Sequence, residues 1–153
     1  MISDTFRNGG YYRWDFNGSV SLLSFNSIFS NFRNQETDKA EEDQLQWLEE
    51  QLSEAKGTRF IIQMHIPPGI WYYSRDEQFW KNESMDAFLE VIERYQDRVV
   101  ILLGAHVHSG EIRAPLSYLN KGLSNLTIMM TPGVAPIFNN NPGYTIMDID
   151  PSS

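Results

Sequence analysis

At 153 residues, 41% hydrophobic and 13% aromatic, the chain has the length of one globular domain and the means to bury a core, which excludes global disorder. Twelve basic against 20 acidic residues leave a net charge of −8, which argues against a phosphate-backbone partner such as a nucleic acid duplex. The absence of cysteine excludes a disulfide framework and a thiolate metal site, no apolar run approaches the ~20 residues that span a bilayer, and residues 1–17 lack the apolar core of a signal peptide.

Gly9-Gly10-Tyr11-Tyr12 reads as a turn, and residues 20–25 then read as a strand. After a polar loop over 31–39, Leu45, Leu48, Leu52 and Ala55 recur at helical spacing, predicting a helix over 41–56 with Thr37 or Asp38 as its cap and Gly57 as its stop. A strand over 59–63 follows. Residues 66–80 have no regular period, contain Pro67-Pro68-Gly69 and carry Trp71, Tyr72, Tyr73, Phe79 and Trp80, so a long aromatic loop is expected. It either shapes a substrate or covers the core. A second helix over 84–96 presents Met85, Phe88, Leu89, Ile92 and Tyr95 on one face. Strands over 99–103, 126–130 and 144–149 complete the chain, the last two separated by Thr131-Pro132-Gly133 and Asn139-Asn140-Asn141-Pro142-Gly143 turn chemistry. Alternating strands and helices predict an α/β fold with helices covering a sheet.

All three histidines sit just beyond two of these strands, in Met64-His65-Ile66-Pro67-Pro68-Gly69 and Gly104-Ala105-His106-Val107-His108. Strand exits are where α/β folds place their chemistry, and imidazole is the commonest metal-binding side chain. Any one histidine after a strand is more often a core or surface residue than a ligand. The joint pattern favours a metal site, because two neighbouring strands would bring the three rings to one edge. In extended backbone His106 and His108 would also point to one side. Three neutral imidazoles suit one zinc with an open position, but two divalent ions call for bridging carboxylate. Asp148 and Asp150 have no motif context and are not expected to be ligands.

These words resemble the calcineurin-like metallophosphoesterases, and among them the acid sphingomyelinase-like phosphodiesterases. Gly9-Gly10-Tyr11-Tyr12, Gln44-Leu45-Gln46-Trp47-Leu48, His65-Ile66-Pro67-Pro68-Gly69, Gly104-Ala105-His106-Val107-His108, and Asn141-Pro142-Gly143-Tyr144 with Ile149-Asp150 occur in the family's order. Ala105 stands in a glycine position of the G-H-x-H motif. The resemblance implies a layered β-sandwich flanked by helices and hydrolysis of phosphodiester bonds at two zinc ions, or other divalent metals. His65 and His106 would bind one metal and His108 the other. It also implies a small phosphodiester or lipid substrate and an extracellular or lysosomal location. The patterns Asn17-Gly18-Ser19, Asn82-Glu83-Ser84 and Asn125-Leu126-Thr127 could accept N-linked glycans there.

The family's other ligands come from D-x-H, G-D and G-N-H words, and none of these occurs in the sequence. Residues 1–153 therefore look like the C-terminal half of the catalytic domain, incomplete without an N-terminal half supplied by the same polypeptide or a second chain. Alone, the chain is expected to be inactive and to expose a large apolar face. Two alternatives remain: a non-catalytic interaction module or structural remnant of the same fold, and a mononuclear zinc protein using His65, His106 and His108 alone.

Overall fold

The structure, a computed structural model, describes residues 3–16, 19–34, 38–54, 57–71, 74–114 and 126–150. The Thr37 cap, Ala55, Tyr72, Tyr73, and the acceptors Asn17 and Asn125 lie outside the described residues. A short helix α1 (Asp4–Gly9) opens the fold, capped by Ser3, whose hydroxyl accepts from the Phe6 N–H. Gly10, at φ 69°, closes it by donating to the Phe6 carbonyl, so the glycine turn marks a helix end.

Strands β1 (Tyr12–Asp15), β2 (Val20–Ser24), β3 (Arg59–Gln63), β6 (Val99–Gly104), β7 (Glu111–Arg113) and β8 (Ile128–Met130) form one six-stranded sheet in the order β1-β2-β3-β6-β8-β7. The central pairs β2/β3, β3/β6 and β6/β8 are parallel; β1 and β7 close the edges antiparallel. Helix α2 (Asp38–Glu54) connects β2 to β3, and α3 (Asn82–Arg94) precedes β6. The expected α/β layering is the observed architecture. It carries a two-stranded ribbon, β4 (Ile70–Trp71) and β5 (Ser74–Gln78), as an addition.

Register explains where the core lies. Leu23, Ile62, Leu102 and Ile128 stand side by side across four strands, and all four are buried. They pack with Leu48 and Leu52 of α2 and Phe88 and Ile92 of α3 in one cluster. One position along, Ser24, Gln63, Leu103 and Met129 share a row on the opposite face, and each of them is only half-buried. Side chains alternate across a strand, so the helices seal one face of the sheet and the other is left partly open.

Two expectations need correction, and one strand went unforeseen. Residues 66–80 are not an aperiodic loop: they contain the β4/β5 ribbon, hidden because Ser74–Gln78 has no apolar alternation to betray a strand. The strand expected over 144–149 does not form; Tyr144 and Ile146 are exposed, and no ladder pairs them among the described residues. A strand needs a neighbour for its hydrogen bonds. Finally, β7 escaped sequence reading because its single apolar residue, Ile112, is 70% exposed on the sheet edge.

Candidate metal centre

The parallel pairing of β3 and β6 runs past the ends of both strands. Met64 N–H donates to the Leu103 carbonyl and Ala105 N–H to the His65 carbonyl, each at 2.9 Å. This places the two histidine turns side by side. The rings of His65 and His106 lie 5.3 Å apart between centroids and meet edge to face at 79°. The His106 ring is also met by the Phe79 ring, at 5.3 Å.

The backbone at His106 and His108 is not extended. Their φ values are 75° and 56°, in the left-handed region that β-carbon-bearing residues rarely enter. Val107, between them, is buried, and its N–H turns back to the Ala105 carbonyl. The common-side geometry expected of an H-x-H pair on a strand therefore fails, since β6 ends at Gly104 and a tight turn follows. The burial of Val107 anchors that turn. Strained backbone of this kind clusters at functional sites.

The His108 ring packs against Phe138 at 5.6 Å, and its buried Nδ1 has no hydrogen-bond partner among the described residues. Two of the three histidines are thus brought together by the sheet, and the third faces a neighbouring wall of the site. Among the described residues, no group of three or more His, Cys, Asp or Glu side chains is close enough to hold a metal ion. Asp148 is exposed in the C-terminal segment.

Electrostatics favours the neutral form of His106, the form a metal requires. Burial lowers its pKa below the usual 6.5, the neighbouring His65 pushes in the same direction, and Glu77 opposes them. A neutral imidazole offers a free lone pair. The donor chemistry fits zinc, and the orphaned Nδ1 of His108 fits a partner outside the described residues; the coordination of two ions needs further donors.

Cavities open on either side of the pair. A cleft of about 440 Å³ at the ends of β2, β3 and β6 is lined by His65, Asn26, Gln63 and Thr131 among others. A smaller pocket of about 210 Å³ is walled by His106, Trp71, Phe79, Phe138, Arg33 and Glu77. Trp71 and Phe138 meet edge to face at 5.4 Å, and Arg33 pairs with Glu77 at 3.2 Å. The aromatic segment thus divides its work: Trp80 is buried in the core, Trp71 shapes the pocket beside His106, and the buried Phe79 serves both. Phe138 had no signal in the sequence. It reaches the site because Phe138 and Asn139 both adopt left-handed backbone.

No protein-family model matches the chain. It is similar to acid sphingomyelinase-like phosphodiesterase 3b of Mus musculus, at 27% identity over 146 residues, covering 87% of this chain and 31% of that protein. A sphingomyelinase phosphodiesterase C of Dictyostelium discoideum is 29% identical over 168 residues, covering 98% and 37%. Among solved structures, a dimetal phosphatase from Danio rerio superposes with a TM-score of 0.59 at 17% identity, over 86% of this chain and 52% of that one. The chain spans about a third of the length of the relatives it matches. The resemblance read from the motifs is borne out: the chain is similar in sequence to acid sphingomyelinase-like phosphodiesterases, and its fold is similar to about half of the dimetal phosphatase.

Proposed function

We propose that this chain, as a relative of the acid sphingomyelinase-like phosphodiesterases, supplies the histidine side of a binuclear metal centre that hydrolyses phosphodiester bonds. The observation that carries the reading is the convergence of His65 and His106 at 5.3 Å from the ends of two adjacent parallel strands. His65 and His106 would hold one ion and His108 the other, with zinc favoured by the all-imidazole donor set and other divalent ions as substitutes. A bound divalent ion supplies Lewis-acid polarisation of the phosphoryl oxygen and acidifies a water.

The chain's own residues do the rest. Burial favours neutral His106, the form whose lone pair a metal can take. Trp71 and Phe138 offer flat apolar walls beside it, suited to a small or lipid-borne phosphodiester, and the net charge of −8 disfavours an extended polyanion. The carboxylates that bridge two ions would come from a complementary half, in the same polypeptide or a second chain. The half-buried row on the open face of the sheet and the exposed Tyr144 and Ile146 supply apolar surface for it to cover.

An extracellular or lysosomal setting accompanies this reading. Asn82 of the pattern Asn82-Glu83-Ser84 is exposed at the start of α3, and among the described residues no helix is long and apolar enough to cross a membrane. A mobility shift on glycosidase treatment of secreted protein, lost in Asn82→Gln, tests that part.

The deciding assay uses a chromogenic phosphodiester with added zinc, comparing this chain alone with the chain joined to D-x-H, G-D and G-N-H segments. The expected result is negligible turnover by the chain alone and metal-dependent turnover by the completed domain, abolished in His106→Ala. Robust turnover by the chain alone would overturn the need for a complement. One observation favours a second reading, a non-catalytic module of the same fold: no three-donor group exists among the described residues. A completed domain that binds no zinc would establish it.

A further inference from the structure

His65 is solvent-exposed, so little packing holds its ring, and the direction in which its side chain leaves the turn is set by its backbone. The peptide unit joining His65 to Ile66 is fixed at both ends. The His65 carbonyl accepts from Ala105 N–H at 2.9 Å, and the Ile66 N–H donates to Oγ of Ser27 at 2.8 Å. The next carbonyl, that of Ile66, accepts from the indole Nε1–H of Trp80 at 3.0 Å. Beyond it Pro67 has no N–H to give.

Ser27 and Trp80 are 1% and 0% exposed, so these bonds are shielded from competing water. Neither side chain is free to drift. Trp80 packs in a three-ring cluster with Phe25, stacked at 5.9 Å, and Phe88, met edge to face at 5.1 Å, and those two rings touch each other at 5.0 Å. The segments that carry the two residues are stitched together as well: Phe32 N–H donates to the Phe79 carbonyl and Lys81 N–H to the Ser30 carbonyl. Phe79, next to Trp80, presses its ring on His106.

We infer that Ser27 and Trp80 are positioning residues for His65, and that the Phe79-Trp80 dipeptide sets the relative placement of His65 and His106. One dipeptide at the end of the β4/β5 ribbon reaches both histidine turns, touching the His106 ring through Phe79 and, through Trp80, the carbonyl of Ile66, the residue after His65. Outer-shell groups of this kind commonly govern how well a ligand set is preorganised. The purpose of the device rests on the metal-centre reading, but the geometry it enforces is measurable without metal.

The test is NMR on the full chain with labelled histidine, reading the ring-to-ring cross-peak between His65 and His106 in metal-free protein. Trp80→Phe keeps a ring but deletes the donor; Ser27→Ala deletes the acceptor. Each is expected to weaken or abolish the cross-peak, and Ser27→Thr, which keeps a hydroxyl, to retain it. Ile92→Val, a buried truncation with no bond to Ile66, serves as the control for general destabilisation. A cross-peak that persists in both Ser27→Ala and Trp80→Phe, or that disappears equally in Ile92→Val, overturns the inference. If Trp80→Phe fails to fold, the contrast between Ser27→Ala and Ser27→Thr decides alone. Titration with zinc alone provides the second readout, with affinity expected to fall about tenfold in Ser27→Ala. If the unaltered chain binds no zinc without the complementary donors, the metal reading is left to the completed domain and the cross-peak in metal-free protein decides the positioning role.

Discussion

A β-carbon built on Gly133 would lie 2.6 Å from Nδ1 of His108 and 2.8 Å from its Cγ. The backbone of residue 133 thus forms one wall of the His108 side chain, and the amide of Gly133 donates to the His108 carbonyl at 3.3 Å. The turn after β8 and the turn after β6 are locked to each other through a histidine and a glycine. Gly133→Ala should displace the imidazole and cost about 1–3 kcal/mol, as overpacking does. Denaturant unfolding gives the stability loss, and a shifted His108 ring resonance with the His65 resonance unmoved would locate the damage. An unchanged His108 signal would refute the packing account.

If His65 and His106 share one ion, their loss should not be additive. His65→Ala and His106→Ala are each expected to weaken zinc binding more than tenfold in calorimetric titration, exceeding the loss of an outer-shell partner. The double variant should be little worse than either single one, because the site is already broken. Independent, additive losses would separate the two rings into different sites.

Adjacent residues of β6 should respond very differently to truncation. Leu102 is fully buried against the helices, so Leu102→Ala should destabilise by about 2–5 kcal/mol. Leu103 points to the open face and is only half-buried, so Leu103→Ala should cost markedly less in the chain alone. Its cost should rise once a complementary half covers that face. Equal losses at the two positions would mean that the second face is already sealed.

Asp15 gives a pH signature away from the site. Hydrogen bonds from the Ser21 hydroxyl and from Arg13, both at 2.6 Å, hold its carboxyl below the usual 3.8. A depressed carboxylate stabilises the fold fully above its unfolded pKa of 3.8, and that contribution is lost as pH falls from there through the folded value. The side chain is 61% exposed, so the effect is small. Melting temperatures of Asp15→Ala and the unaltered chain should differ above pH 4 and converge below it. A gap that widens on acidification would contradict the assignment.

The central elements were legible because their signal is local. Leu45, Leu48 and Leu52 repeat at helical spacing, and Arg59–Gln63 and Val99–Gly104 are apolar runs with chemistry at their ends, so the α/β order and the placement of the three histidines beyond two strands follow from residue pattern alone. The geometry at the histidines was decided by tertiary structure. The extended H-x-H pair gave way to a left-handed turn because the core takes in Val107, and His108 moved to the Phe138 wall. The β4/β5 ribbon and β7 were invisible because short strands with polar or exposed side chains have no burial pattern to read. Nothing in the sequence marks Ser27, whose contact with Ile66 spans 39 residues. Periodicity reports which face of an element will be buried; which distant side chain meets it depends on how the faces pack, and in this protein that packing aims His65.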